Sequence, residues 1–196
     1  MSVSDRKSEL RKTLLPKRKS MSVDVWKQKS IQILDNLTSM DKFRSSTVIH
    51  SFVSMNDRRE VNTHSLIKDL IAGNKSVIIP VTDFETGELQ HSELNSFNDL
   101  KPNKWGVLEP LNFNPTDIRP DCILVPLLAA DKQFNRLGYG KGFYDRFLES
   151  SQAVKIGLLF EDYLFDEIPV EDFDEKLDIL ITEKKILRRN KSYLGS

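Results

Sequence analysis

A chain of 196 residues that is 39% hydrophobic and 30% charged has the composition of a folded globular protein, which excludes a disordered or fibrous chain. Folding should bury about 70% of the surface that the unfolded chain exposes, so we expect one domain over residues 1–196. The single cysteine, Cys122, cannot form an internal disulfide, and no apolar run approaches the about 20 residues of a membrane span. We therefore expect a cytoplasmic protein with no membrane partner, monomeric by default.

The charges are unevenly distributed, although 29 basic and 29 acidic residues cancel. Basic residues crowd the first twenty positions, and an acidic stretch covers 161–175. A basic amino end is typical of an anion-binding helix, a nucleic-acid arm, a transit peptide or a solvated helix face. Asp5 and Glu9 argue against a transit peptide. The lack of interleaved aromatic residues argues against an arm, so we expect no nucleic-acid partner.

Two helices are predicted at the start of the chain. Residues 4–19 are rich in helix-forming residues, with Ser4 or Asp5 as the cap, and Pro16 predicts a kink or break near its position. A second helix is predicted at 22–37, capped by Ser22. Its predicted apolar face comprises Val25, Trp26, Ile33 and Leu37.

Short apolar runs then predict five strands, at 47–53, 76–81, 121–128, 154–160 and 177–182. Near-continuous apolar runs are typical of strands covered on both faces. Helices are predicted at 61–72 and 142–150, an extra hairpin at 83–94, and a long irregular segment at 95–120. This pattern predicts a three-layer α/β/α sandwich with a mainly parallel or mixed central sheet, Rossmann-like in organisation.

The segment 135–145, NRLGYGKGFYD, is rich in glycine. Gly138, Gly140 and Gly142 let the backbone adopt positive φ and bring its amides close to a ligand. Arg136 and Lys141 add positive charge, so the segment predicts a phosphate site. It is not a Walker A loop, because a glycine follows Lys141, and it lacks the third glycine of a dinucleotide fingerprint. Spaced glycines alone also suit a tight turn.

Together with VPLLAAD at 125–131, this segment resembles the signature of the 5-formyltetrahydrofolate cyclo-ligase family. That family usually has phenylalanine where Ala130 stands and tyrosine where Phe143 stands. Three further stretches are similar to the family: Lys7 with Arg11, the stretch that begins at Glu60, and the stretch around Trp105. Residues 57–59 lengthen the loop before Glu60.

The resemblance implies ATP-dependent conversion of 5-formyltetrahydrofolate to 5,10-methenyltetrahydrofolate, with Mg²⁺, through a phosphorylated formyl group. It implies ATP binding by Lys7, Arg11, Arg136, Leu137, Gly138, Tyr139, Gly140, Lys141, Gly142, Phe143 and Tyr144. Of these, Lys141 and Arg136 would be catalytic. Folate binding is implied for Val53, Glu60, Trp105, Tyr139, Gly140, Lys141, Gly142 and Phe143, and Mg²⁺ binding for Asp145 and Asp178.

Several of these residues have alternative interpretations. Asp145 could instead pair with Arg146 or Lys141, and Asp178 could be a charge at a strand edge. Glu60 could be a carboxylate favoured by a helix dipole, and Trp105 an anchor of the long loop. At the level of function, the alternative is a non-catalytic α/β module that binds a phosphorylated ligand.

Overall fold

The computed structural model describes residues 1–83, 85–103 and 106–190. Its helices are α1 (Val3–Lys19), α2 (Val23–Ser39), α3 (Asp41–Ser45), α4 (His64–Ala72) and α5 (Phe143–Glu149). Its first six strands are β1 (Val48–Ser51), β2 (Ser76–Asp83), β3 (Glu88–Glu93), β4 (Leu100–Pro102), β5 (Leu108–Pro110) and β6 (Cys122–Val125). The others are β7 (Ala129–Asp131), β8 (Arg136–Leu137), β9 (Val154–Leu158), β10 (Leu164–Phe165), β11 (Ile179–Ile181) and β12 (Ile186–Arg188).

A seven-stranded sheet, in the order β12-β11-β9-β6-β1-β2-β3, organises the molecule. The five central strands run parallel, and the edge strands β12 and β3 are antiparallel to their neighbours. Strands β10, β7 and β8 form a second small sheet, and β4 pairs with β5 in a third. The five predicted strands and the mixed central sheet are therefore confirmed.

Strand β6 shows why the architecture has three layers. Its side chains alternate between two apolar clusters. Cys122 and Leu124 join the cluster that contains residues of α1 to α4, while Ile123 and Val125 join the cluster that contains Leu148 of α5. Because successive strand residues point to opposite faces, helices cover both faces of the sheet. The α/β/α sandwich is confirmed.

The predicted break at Pro16 is wrong, since α1 continues through it to Lys19. Proline removes the hydrogen bond that its amide would have given to the carbonyl of Lys12. Lys12 and Pro16 both lie on the exposed side of α1, where water can satisfy that carbonyl. The helix is capped by Ser2, which forms a capping box with Asp5, and not by Ser4.

The apolar face of α2 was predicted correctly except at one position. Trp26, Ile33 and Leu37 are buried, but Val25 is 43% exposed. The cap at Ser22 is confirmed by the hydrogen bond from the amide of Val25 to its hydroxyl. None of the helices in the described ranges combines the length and apolarity that crossing a bilayer requires.

The segment at 83–94 is a hairpin, as predicted, in which β3 pairs antiparallel with β2. The segment 95–120 is less irregular than predicted, because it contains β4 and β5. Five parallel strands point their carboxyl ends in one direction, and it is at the ends of β1 and β6 that a cavity opens.

Candidate active site

A cavity of about 530 Å³ lies beyond the carboxyl ends of the central strands. Phe52 and Val53, which follow β1, and Pro126, which follows β6, form part of its wall. The glycine-rich segment, α1 and the acidic segment 171–174 complete it. A crevice at this edge of an open α/β sheet is the usual ligand site of such folds. Residues from the beginning, middle and end of the sequence meet there.

The glycine-rich segment connects β8 to α5 and borders the cavity from Gly138 to Asp145. Gly140 has a φ of +90° and Gly142 a φ of +70°, as predicted. Gly138 does not have a positive φ. A Cβ there would lie 2.9 Å from Nη1 of Arg136, so a side chain at this position would displace the guanidinium.

Two of the predicted phosphate-binding cations form hydrogen bonds in the glycine-rich segment: Arg136, which belongs to the segment, and Arg11 of α1. Arg136 is buried and its Nη2 donates to Oδ1 of Asp145 at 2.6 Å. Its Nε has no hydrogen-bond partner among the residues that the structure describes. Arg11 donates from Nε to the carbonyl of Gly138 at 2.8 Å. Lys141 is exposed at the cavity, and its ammonium has no acceptor within the described parts of the chain.

Lys7 and Arg11 both border the cavity, as the spacing of four on α1 predicted. Lys7, however, is only 4% exposed and is already paired. Its ammonium donates to Oε2 of Glu171 at 2.8 Å and to Oδ2 of Asp174. The solvated-face interpretation of this lysine is wrong, and the two acidic partners were not identified from the sequence.

The predicted folate-binding residues that the structure describes all border the cavity. Val53, Glu60, Tyr139 and Phe143 border the cavity, and Trp105 lies outside the described residues. Glu60 accepts a hydrogen bond from the amide of Met55 at 2.7 Å through Oε2, and another from the Tyr139 hydroxyl through Oε1. The carboxylate is therefore held in a fixed orientation at the cavity edge.

Two tyrosines of the segment are kept in their protonated form. Burial, and then the charge of Glu60, raise the pKa of Tyr139 well above its usual value. Burial likewise raises the pKa of Tyr144, whose hydroxyl has no hydrogen-bond partner among the described residues although the residue borders the cavity. The Tyr144 hydroxyl oxygen itself is buried, so it is the rest of this residue that borders the cavity.

The remaining predicted site residues are placed differently. The side chain of Leu137 is fully buried in the core and does not border the cavity, so only its backbone could contribute. Asp145 borders the cavity and pairs with Arg136, not with Arg146 or Lys141. Asp178 does not border the cavity; it accepts from Arg189 at 3.0 Å and from the amide of Lys155 at 3.0 Å.

A pair of histidines, His50 buried and His91 half-buried, supports the helix that follows the glycine-rich segment. Nε2 of His50, on β1, lies 3.2 Å from Nδ1 of His91, on β3. The Phe147 ring of α5 packs on both imidazoles, with centroids 4.8 and 4.4 Å away. No local sequence pattern indicates this pair, because the two residues are 41 positions apart and belong to strands separated by β2.

Comparison with known proteins identifies the family. The model of the 5-formyltetrahydrofolate cyclo-ligase family matches residues 3–183. The chain belongs to this family. A mouse (Mus musculus) 5-formyltetrahydrofolate cyclo-ligase is 29% identical over 93% of this chain and 96% of its own length. The Escherichia coli K12 cyclo-ligase is 33% identical over 65% of this chain and 74% of its own length.

A solved structure extends the similarity to three dimensions. The NMR structure of 5,10-methenyltetrahydrofolate synthetase from Aquifex aeolicus superimposes with a TM-score of 0.84 at 30% identity, covering 97% of this chain and 96% of that one. Membership of the cyclo-ligase family makes this chain an enzyme. The glycine-rich segment, which carries the family signature in the sequence, is thus also a segment that borders the cavity in the structure.

Proposed function

We propose that this cyclo-ligase converts 5-formyltetrahydrofolate to 5,10-methenyltetrahydrofolate with ATP as the energy source. The observation that carries the proposal is that one cavity is bordered both by the glycine-rich segment and by the carboxylate of Glu60, which two hydrogen bonds orient. Phosphate-binding features and a hydrogen-bond acceptor for a pterin ring lie side by side there. We further propose a monomeric enzyme of one domain, located in the cytosol, where a single buried cysteine stays reduced.

The chemistry explains why both features are needed. The formyl oxygen of the substrate is a poor leaving group. Its attack on the terminal phosphorus of ATP breaks the bond to ADP and places a phosphate on that oxygen. N10 of the folate then attacks the formyl carbon and loses its proton, and inorganic phosphate departs with the oxygen. The enzyme must align the two reactants and stabilise negative charge on the transferred group.

The cations of the cavity are suited to that stabilisation. We assign Lys141 and Arg136 to the transferred phosphoryl group, because both border the cavity and the Lys141 ammonium has no acceptor among the described residues. Arg11 and Lys7 would bind the triphosphate. The amides of the glycine-rich segment add further donors.

The folate is assigned to the part of the cavity that Glu60 borders. Glu60, with both oxygens oriented by donors, would accept hydrogen bonds from the pterin ring. Val53, Phe143 and the ring of Tyr139 supply apolar surface beside it. Trp105, outside the described residues, is proposed on the basis of the sequence resemblance alone.

Asp145 fits a magnesium ligand. Its Oδ1 is shared with Arg136, while Oδ2 has no partner among the described residues. Mg²⁺ is commonly held by one or two carboxylates together with substrate phosphates, where it neutralises phosphate charge. No group of three or more metal-binding side chains occurs in the described parts of the chain, which agrees with such a sparse site. Asp178 fits less well, since both its oxygens accept from protein donors.

The test is a direct assay. Purified protein is mixed with 5-formyltetrahydrofolate, ATP and Mg²⁺, and the ultraviolet absorbance of the methenyl product is followed. We expect product only when ATP is present. The variant K141A should lose about a hundredfold or more in kcat, because a donor to the transferred group is removed.

The matched control is K27A, which removes an exposed lysine on α2. It should keep the wild-type rate. A folded wild-type protein that forms no methenyl product with ATP would refute the proposed reaction. A K141A variant as active as K27A would refute the assignment of Lys141.

A further inference from the structure

A buried arginine lies beneath the cavity without a counter-ion in contact. Arg18, in the last turn of α1, is 3% exposed. Its guanidinium donates to the carbonyl of Arg58 at 3.0 Å, to the carbonyl of Leu127 at 3.0 Å and to the hydroxyl of Tyr139 at 2.6 Å. Among the described residues no carboxylate lies within ion-pair distance of it. A buried charge so placed is costly, which calls for an explanation beyond packing.

The hydrogen bonds of Arg18 determine which group donates and which accepts along a chain of three side chains, Arg18, Tyr139 and Glu60, which we call the relay. A guanidinium only donates, so the Tyr139 oxygen must accept from Nη2 of Arg18. The hydroxyl proton of Tyr139 is then left to point at Oε1 of Glu60. Tyr139 retains that proton, because burial and the charge of Glu60 raise its pKa. Arg18 thereby determines which groups on this wall donate and which accept.

The same arginine joins parts of the chain that are far apart in sequence. It connects α1 to the turn before Glu60, to the segment after β6 and to the glycine-rich segment. The sequence separations are 40, 109 and 121 residues. Lysine could not replace Arg18 here, since its ammonium is a point charge without the planar fork that donates to all three acceptors.

We propose that Arg18 is a positioning residue for the folate: through the Tyr139 hydroxyl it orients Glu60 and fixes the glycine-rich segment against the folate-binding wall. The inference rests on the proposed function, because it takes Glu60 as the group that accepts from the pterin ring. Arg18 does not contact the substrate in this account. Its effect reaches the folate through Tyr139 and Glu60.

The experiment separates positioning from a merely structural role by comparing Michaelis constants. For R18Q we expect KM for 5-formyltetrahydrofolate to rise about tenfold, and more than KM for ATP, because a charge-assisted hydrogen bond that orients Glu60 is lost. Y139F, which deletes only the hydroxyl, should raise the same KM by a similar factor. In the double variant the effects should not add, since both act on one relay.

R59Q is the matched control. Arg59 also donates to two backbone carbonyls, those of Met21 and Asn56, but it does not border the cavity. Its loss should lower the thermal midpoint without raising KM for the folate. An R18Q enzyme with wild-type KM for the folate, or effects of R18Q and Y139F that multiply fully, would overturn the proposal.

Three further outcomes separate the inference about Arg18 from the proposed function. If R18Q does not fold, Y139F decides the question, since an unchanged folate KM in Y139F overturns the relay. If the wild-type enzyme neither binds nor converts 5-formyltetrahydrofolate, the proposed function fails and the inference fails with it. An active wild type with unaffected variants refutes the inference alone.

Discussion

Gly140 shows how closely an arginine side chain approaches the backbone of the glycine-rich segment. Its φ is +90°, a conformation that side chains with a Cβ rarely adopt. A Cβ at this position would also lie 3.1 Å from Cζ of Arg11 and 3.2 Å from its Nη1. Glycine therefore serves two purposes here. It permits the turn, and it lets the guanidinium of Arg11 lie against the segment.

The variant G140A, compared with a glycine variant elsewhere, should show whether the close approach of Arg11 matters for ATP use beyond the backbone strain of a side chain at positive φ. We expect kcat/KM for ATP to fall about a hundredfold, since displacement of Arg11 and of the segment misaligns the phosphate site. The measurement is steady-state kinetics with varied ATP. G87A is the control, because Gly87 has a φ of +73° in the β2–β3 hairpin and its Cβ would meet only an ordinary contact at 3.6 Å. Equal losses in both variants would contradict the assigned role of Gly140.

Site residues could be predicted from the sequence where they belong to one local motif. Arg136, Lys141 and Asp145 are neighbours in sequence, and all three border the cavity. Arg18 could not be assigned in this way. Its role depends on acceptors on three distant segments, and its type and spacing resemble those of any other basic residue on α1. Sequence alone does not distinguish a buried guanidinium from an exposed one.

At the scale of elements, the acidic segment 171–174 borders the same cavity as the glycine-rich segment. Glu171 and Asp174 both pair with Lys7, and Phe173 stands 5.6 Å from the same ammonium. Asp174 also accepts from the amide of Glu171 and so stabilises the turn itself. Glu171 has no such second role. A bound triphosphate would have to compete with these carboxylates for the charge of Lys7.

The variant E171Q should therefore bind ATP more tightly. We expect KM for ATP to fall about fivefold, because one negative charge beside Lys7 is removed. The assay is methenyl product formation at fixed folate and varied ATP. D172N removes the same charge from an exposed neighbour in the segment and should leave KM nearly unchanged. A higher KM for ATP in E171Q would show that Glu171 orients Lys7 and does not oppose the nucleotide.

Elements were predicted well where burial alone determines them and less well elsewhere. The apolar runs at 121–128 and 154–160 produced β6 and β9, but both strands are shorter than predicted. Strand β6 ends where the chain leaves the sheet to border the cavity, and β9 ends where the chain enters the next loop. The continuity of α1 through Pro16 depended on which side of the helix faces water, and a propensity argument does not contain that information.

At the scale of the molecule, the histidine pair makes stability depend on pH. Burial, and then the proximity of His91, lower the pKa of His50 from 6.5 to about 3. As the pH falls, His50 binds a proton near pH 6.5 in the unfolded chain but only near pH 3 in the folded protein. The free energy of unfolding should therefore be constant above that pH and fall as the pH drops towards 3, by up to about 1.4 kcal/mol per unit.

Urea unfolding at pH 7.5 and pH 5.0 measures this dependence. We expect His50 to account for a loss of about 2 kcal/mol between the two values. The variant H50Q should be less dependent on pH over the same range. H64Q is the comparison, because His64 is only half-buried and bonds to the carbonyl of Ser54 at 2.9 Å. An unchanged pH dependence in H50Q would contradict the explanation.

The sandwich architecture followed from the sequence because it needs only the order of helices and apolar strands. The convergence of α1, the glycine-rich segment and residues 171–174 on one cavity could not be derived from that order. It depends on the strand order of the sheet, and that order sets which loops become neighbours. The family resemblance supplied this information for the signature segment but not for Glu171 or Asp174.

The pairing of Lys7 with Asp174 spans 167 residues, and this separation has a consequence for biosynthesis. At about 5 to 20 residues per second, some 8 to 30 seconds pass between the synthesis of these two partners. During that interval α1 carries two cations, Lys7 and Arg18, that are destined for burial and still lack some of their acceptors. We expect a nascent chain that ends before residue 171 to leave this helix undocked. Helix α1, which is synthesised before the other described helices, is then the last of them to dock.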